Sequence, residues 1–153
     1  MTKHLVLVGG GHAHMVTLAN LHTFVEKGYR VTVVGPSAYH YYSGMGPGML
    51  GKTYTPNDIR FATRHVVEKQ GGTFLLEKAV SVDPVAKTLS LQSGDQIPYD
   101  IISFNAGSYV PRLNLSDMSE GIYSAKPIER LLEAQTRILA LCSQKKITIG
   151  IVG

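Results

Sequence analysis

Two clusters of residues in this chain could do chemistry. The first is VGGGHAHM at residues 8–15, directly after the apolar run HLVLV. Glycines at positions 9 and 11 suit a tight turn whose backbone N–H groups approach a pyrophosphate, and a helix starting there adds partial positive charge. The usual pattern is G-x-G-x-x-G; here His14 stands at the third glycine, where helix and strand normally pack closely. The acidic residue that usually closes the second strand and holds a ribose hydroxyl is absent too, with Gly35 and Ser37 in its place. The second cluster is histidine itself: His12, His14 and His22. Residues two apart on a helix do not share a face, and no Cys, Asp or Glu is close by to complete a ligand set, so a metal site is disfavoured. His12 is expected at the helix N-terminus facing a phosphate, and His14 as a packed or hydrogen-bonded residue. A glycine turn with no ligand stays open as the plainer reading.

The surrounding elements have the order such a turn needs. Leu5–Val8 reads as a strand buried on both faces. Residues 12–27 carry no Gly or Pro and keep Leu18, Leu21 and Val25 at helical spacing, with Gly28 as the stop. Residues 29–34 read as a second strand ended by Gly35-Pro36. This is the size of a βαβ unit. YHYYSGMGPGMLGKTY is glycine-rich and reads as a loop with one short turn around Met49. A helix capped at Asn57 or Asp58 is expected to run to Gln70 and stop at Gly71-Gly72. TFLLEKAVSVD, KTLSLQ and IPYDIISF, separated by turn signals, suggest an antiparallel hairpin or three-stranded meander, with residues 100–104 as a further buried strand. A polar connection around Pro111 follows, then a helix from Pro127 to about Gln144, then ITIGIVG as a new strand.

Bulk properties narrow the function classes. A chain of 153 residues with 44% hydrophobic content supports a real core and argues against disorder. A net charge of +4 suits an anionic ligand, and without a basic run it does not argue for nucleic acid. The single cysteine, Cys142, excludes an internal disulfide and is expected to be a buried structural thiol. No apolar segment reaches membrane-spanning length and no signal-peptide core is present, so a cytoplasmic location is expected.

Taken together, VLVGGGHAHM, VTVVGPSAYHYYSGMGPGMLGKTY and YDIISFNAGSYVP resemble the N-terminal flavin-binding region of the flavoproteins with two dinucleotide-binding domains: type II NADH dehydrogenases, sulfide:quinone reductases and pyridine nucleotide-disulfide oxidoreductases. The subgroup found alone or fused to selenophosphate synthetase is similar in its GGGH-x-H turn and its Y-S-G-M-x-P-G segment. The resemblance implies an α/β, Rossmann-like FAD/NAD(P)-binding three-layer fold: a parallel sheet with helices and a small antiparallel meander as a crossover. It divides the chain into a FAD-binding region at 1–110, a connection and helix at 111–145, and at 146–153 the first strand of a second, NAD(P)-binding domain that the chain lacks. It implies that Gly9, Gly11, His12 and Ala13 form the pyrophosphate loop. Pro36 and Ser37 would lie near the adenosine ribose, Ala79 and Val80 on a strand that meets the adenine, Tyr42 to Pro47 towards the flavin ring, and Asn105-Ala106-Gly107 back at the cofactor.

The function implied is the flavin-binding portion of an NAD(P)H-dependent FAD oxidoreductase, inactive as a fragment, with NAD(P)H as co-substrate. No side chain is assigned an acid, base or metal-ligand role. Residues 36–60 contain no cysteine, which disfavours the family's disulfide-reductase chemistry, and Cys142 alone, in an expected helix, disfavours its sulfide-oxidising chemistry, which needs cysteines. The rival is a non-catalytic nucleotide-binding or interaction module of the same fold. Peripheral membrane contact of the parent and self-association through an exposed sheet edge are carried as partner expectations.

Overall fold

A computed structural model describes residues 2–108 and 121–152. The elements are, in order, β1 (His4–Val8), α1 (His12–Ala19), α2 (His22–Glu26), β2 (Arg30–Gly35), β3 (His40–Tyr41), α3 (Gly46–Leu50), β4 (Arg60–Phe61), α4 (Thr63–Lys69), β5 (Thr73–Leu76), β6 (Ala79–Asp83), β7 (Thr88–Leu91), β8 (Gln96–Pro98), β9 (Ile101–Phe104) and α5 (Glu129–Cys142). The chain forms two compact units, residues 1–40 with 61–107, and residues 41–60 with 108–153.

The first unit has three layers. Its centre is a parallel sheet of order β5-β2-β1-β9. Side chains alternate across a strand, so β1 serves two cores. Leu5 and Leu7 join Val31, Val33 and Phe74 against Leu18, Leu21 and Val67 of the helical layer. Val6 and Val8 join Val34 against Leu89 and Leu91 of the antiparallel meander β6-β7-β8. This double burial explains why Leu5–Val8 reads as an unbroken apolar run and why β2 is almost wholly buried, with Thr32 alone polar among Val31, Val33 and Val34.

The sequence reading departs from the structure in several places. The expected helix over 12–27 is two helices. Asn20 closes the first through its own side chain, which donates to the Val16 carbonyl at 2.9 Å, and Leu21, fully buried, begins a new turn. The helix from Asn57 or Asp58 is instead a seven-residue helix beginning at Thr63. Asp58 ties a turn, accepting from the Thr55 N–H and hydroxyl at 2.8 and 2.7 Å, and that local bonding competes with helix. The meander is three-stranded, but its first and last apolar runs are divided. Thr73–Leu76 pairs with β2 in the parallel sheet and only Ala79–Asp83 enters the meander. Ile101–Phe104 pairs with β1, yet is not buried, because it forms the sheet edge. Ile101 and Phe104 are about half exposed. Residues 147–152 take no strand conformation; a strand needs a partner for its N–H and C=O groups, and none pairs with this segment among the described residues.

The second unit has its own core of Met49, Ile59 and Ile128, with Tyr41, Met45, Leu131 and Leu132 against it. Gly46 is buried there: a Cβ would sit 2.8 Å from Ile128 Cδ1. The loop expected at 39–54 holds more structure than one turn, a 3-10 helix at Ser43–Met45 running into α3. Cys142, at the end of α5, is exposed and free, not a buried thiol. Helical apolar spacing fixed a face for α5, and Cys142 falls off the part of it that is covered. The polar connection around Pro111 lies outside the described residues.

Candidate functional site

The sheet order locates a site before any side chain is considered. From β1 the chain crosses to β2 on one side, while β9 pairs on the other. The carboxyl end of β1 is therefore the switch point, where open parallel sheets form a crevice. Gly9-Gly10-Gly11 occupies it.

The turn is tied down on every side. Gly9 has φ +85°, and its N–H donates to the Val34 carbonyl at 2.8 Å. A Cβ on Gly9 would lie 2.8 Å from Ala106 Cα and closer still to the Asn105 carbonyl. A Cβ on Gly11 would run into the Asn105 side chain, and the Gly11 N–H donates to the Asn105 carbonyl at 3.3 Å. Both motif glycines are thus required first by the segment that ends β9. Asn105, which the resemblance places with Ala106 and Gly107 back at the cofactor, is their common neighbour. Gly10 packs beside Thr63 and His40, with a Cβ 3.2 Å from Thr63 Cγ2.

Gly11 is the N-cap of α1 and contributes no side-chain cap, and no acidic residue lies in the first turn. The orphan N–H groups of that turn carry the positive pole of the helix. His12 and Ala13 are exposed at this pole, and the His12 ring meets His40 edge-on at 6.4 Å between centroids. His14, two residues on, points the other way. It is 4% exposed, with Nδ1 2.7 Å from the Gly9 carbonyl and Nε2 2.9 Å from Ser103 Oγ. The expectation of a packed, hydrogen-bonded His14 holds.

The remaining site residues are placed as follows. Pro36 and Ser37 are exposed just past β2; Ser37 Oγ accepts from the Tyr39 N–H at 3.1 Å. Val80 is 57% exposed on β6. Ala106 and Gly107 are exposed after β9, and Ala106 is in contact range of Gly9. Tyr42 and Pro47 belong to the second unit: Tyr42 precedes the 3-10 helix with its ring against Gly44, and Pro47 sits in the first turn of α3. A shallow cavity of about 150 Å³ between Ala38-Tyr39 and Ala62, Arg64, His65 and Glu68 was not signalled by the sequence. Its volume falls short of the roughly 300–1,000 Å³ of ligand pockets. Among the described residues, no group of three His, Cys, Asp or Glu comes together to hold a metal ion.

This geometry has known counterparts. The sulfide-quinone reductase of Aquifex aeolicus is 29% identical over 143 residues, which is 92% of this chain and 32% of that protein. The chain is homologous to sulfide:quinone reductase. The crystal structure of the sulfide:quinone oxidoreductase from the same bacterium superimposes with a TM-score of 0.76 at 28% identity, over 94% of this chain and 33% of that one. Two further solved structures share the fold. NDH2 of Plasmodium falciparum, in complex with NADH, gives a TM-score of 0.76 at 20% identity over 97% of this chain and 31% of its own. The NADH:rubredoxin oxidoreductase of Clostridium acetobutylicum gives 0.70 at 22% identity, over 92% and 36%. No family model matches the chain. It spans about a third of the length of these relatives. The similarity supports the expected fold, a parallel sheet with helices and a small antiparallel sheet, and the resemblance read from the glycine turn and the distant segments.

Proposed function

We propose that this chain is the flavin-binding portion of a FAD-dependent NAD(P)H oxidoreductase. The observation that carries the reading is an α1 N-terminus left uncapped by any side chain, at the switch point of a parallel sheet homologous to that of sulfide:quinone reductase. Such a terminus fits the pyrophosphate of a dinucleotide. Gly9 and Gly11 hold the turn, and the N–H groups at His12 and Ala13 face the phosphates. Pro36 and Ser37 lie towards the ribose; Ser37 keeps its hydroxyl proton to donate, in place of the missing acid. Val80 lies towards the adenine, Ala106 and Gly107 close the crevice, and Tyr42 and Pro47 belong to the flavin end. When bound, FAD would supply the redox chemistry, taking hydride from NAD(P)H; the residues here bind and orient it.

The division into 1–110, 111–145 and 146–153 is part of the proposal, as are a cytoplasmic location, peripheral membrane contact and self-association through the β9 edge. The GGGH-x-H turn supports membership of the subgroup also found fused to selenophosphate synthetase. Among the described residues no helix is long and apolar enough to cross a membrane. Calorimetric titration of the chain with FAD, ADP and NADH, beside the visible spectrum of the protein from the whole reading frame, tests the reading. FAD binding and a yellow parent are expected. Binding of NADH or ADP with no FAD binding favours the non-catalytic nucleotide module. A colourless parent that FAD does not reconstitute overturns the flavoprotein reading.

A further inference from the structure

We infer that His14 is a positioning residue of the glycine turn: its imidazole, held between the Gly9 carbonyl and the Ser103 hydroxyl, fixes the Gly9–Gly10 peptide in the orientation from which the turn meets a phosphate. The inference rests on the dinucleotide reading above for its ligand, and on the hydrogen bonds for its mechanism.

The bonding pattern fixes the tautomer of the neutral ring. A carbonyl oxygen only accepts, so the 2.7 Å contact with Gly9 places a proton on Nδ1. In the neutral ring Nε2 then accepts from Ser103 Oγ–H at 2.9 Å. Ser103 can make this contact because it is the register partner of Leu7, whose side chain packs in the helical layer. Partners in a parallel ladder share a face, so Ser103 points at α1.

The consequence falls on the turn. The Gly9 N–H is tied to β2 through the Val34 carbonyl, and the Gly9 carbonyl is tied to α1 through His14. A peptide is planar and trans, so its C=O and the following N–H point in opposite directions. Holding the Gly9 oxygen inward therefore aims the Gly10 N–H outward. Gly9, at φ +85° with no side chain, has the widest freedom to rotate that peptide, which is why a clamp there matters. In the common form of the motif the third glycine provides only close packing. Here a buried, doubly bonded ring takes its place.

His14→Gly restores the common pattern, yet leaves the Gly9 carbonyl without its partner and a void under α1. ADP affinity is expected to fall about tenfold or more, in line with the loss of a buried hydrogen-bond partner. His14→Asn places an amide N–H near the Nδ1 position and should recover most of the affinity. His14→Gln reaches Ser103 instead and should not. Calorimetry with ADP on the full chain and its three variants reads this, with circular dichroism to check folding. Imidazole nitrogen NMR should show a protonated Nδ1 and an unprotonated Nε2. The Gly10 amide resonance should move in His14→Gln and stay in His14→Asn. Equal ADP affinity for the Asn and Gln variants, or an Nδ1 without a proton, overturns the clamp. An intact NMR signature with no ADP binding by the wild-type chain overturns the dinucleotide reading and leaves the clamp standing.

Discussion

Gly9 and Gly28 share a left-handed backbone, φ +85° and +82°, and nothing else. A Cβ at Gly28 meets no atom within 4 Å, while one at Gly9 lies 2.7 Å from the Asn105 carbonyl carbon. Gly28→Ala therefore carries only the cost of a left-handed alanine, about 1–2 kcal/mol. Gly9→Ala adds a collision with backbone that cannot step aside, and about 3–4 kcal/mol in total is expected. Urea unfolding of the two variants side by side checks this; equal losses would show that the Asn105 contact does not restrain the turn. The paired histidines differ in the same way. His12 is at the exposed pole of α1 and His14 is buried beneath it. Local spacing assigned them to different sides of a helix, and the structure kept that assignment. What spacing could not supply was Ser103, 89 residues away in the chain.

At the scale of elements, β1 is fastened at its start as well as at its end. The His4 N–H donates to Asp100 Oδ2 at 2.6 Å and the Asp100 N–H returns a bond to the His4 carbonyl at 2.9 Å. The buried imidazole bridges Pro98 of β8, 2.6 Å from Nδ1, and Thr32 of β2, 2.8 Å from Nε2. Nδ1 also lies 2.8 Å from Arg30 Nη2, so the Pro98 carbonyl, which accepts, and the Arg30 guanidinium, which donates, both face it. Burial holds the His4 pKa below its ordinary 6.5; Arg30 lowers it further, against the opposing pull of the Pro98 carbonyl and of Asp100. Because the folded pKa is depressed, the unfolded chain binds the proton more readily. The contribution of His4 is complete above pH 6.5 and is lost as pH falls below it. The urea midpoint is expected to drop between pH 7.5 and 5.5, and His4→Gln should flatten that step; an unchanged slope in the variant would assign the pH dependence to other groups. The sequence showed β1 and β2 plainly, because burial on both faces leaves a run of apolar residues, broken within β2 only by Thr32. It divided the meander wrongly, because TFLL and AVSVD are equally strand-like and only pairing separates them.

For the whole molecule, stability is uneven by construction. Val6 and Val33 are 0% exposed at the centre of the parallel sheet, with a packed layer on each face. Ile151 and Val152 are 95% and 101% exposed, with no strand pairing among the described residues. Hydrogen exchange should therefore show the β1 and β2 amides as the slowest in the chain and residues 147–152 exchanging at the rate of an unstructured peptide. Protection of the tail in the isolated chain would mean that it has found a strand partner, with self-association as the first explanation to examine. The chain spans a third of its sulfide:quinone reductase relative, so the same segment in a longer protein is the informative comparison.

The amino-acid sequence by itself determined the two strands around a glycine turn, the presence of antiparallel strands further on and the separate fates of His12 and His14. All of these follow from neighbours a few residues apart, where backbone freedom, period and side-chain size act directly. Tertiary structure alone decided that β5 joins the parallel sheet, that β9 is an edge, that Cys142 is exposed and that Gly9 and Gly11 answer to Asn105. Each depends on which surfaces meet across long separations, and a strand or helix carries no local mark of its eventual partner.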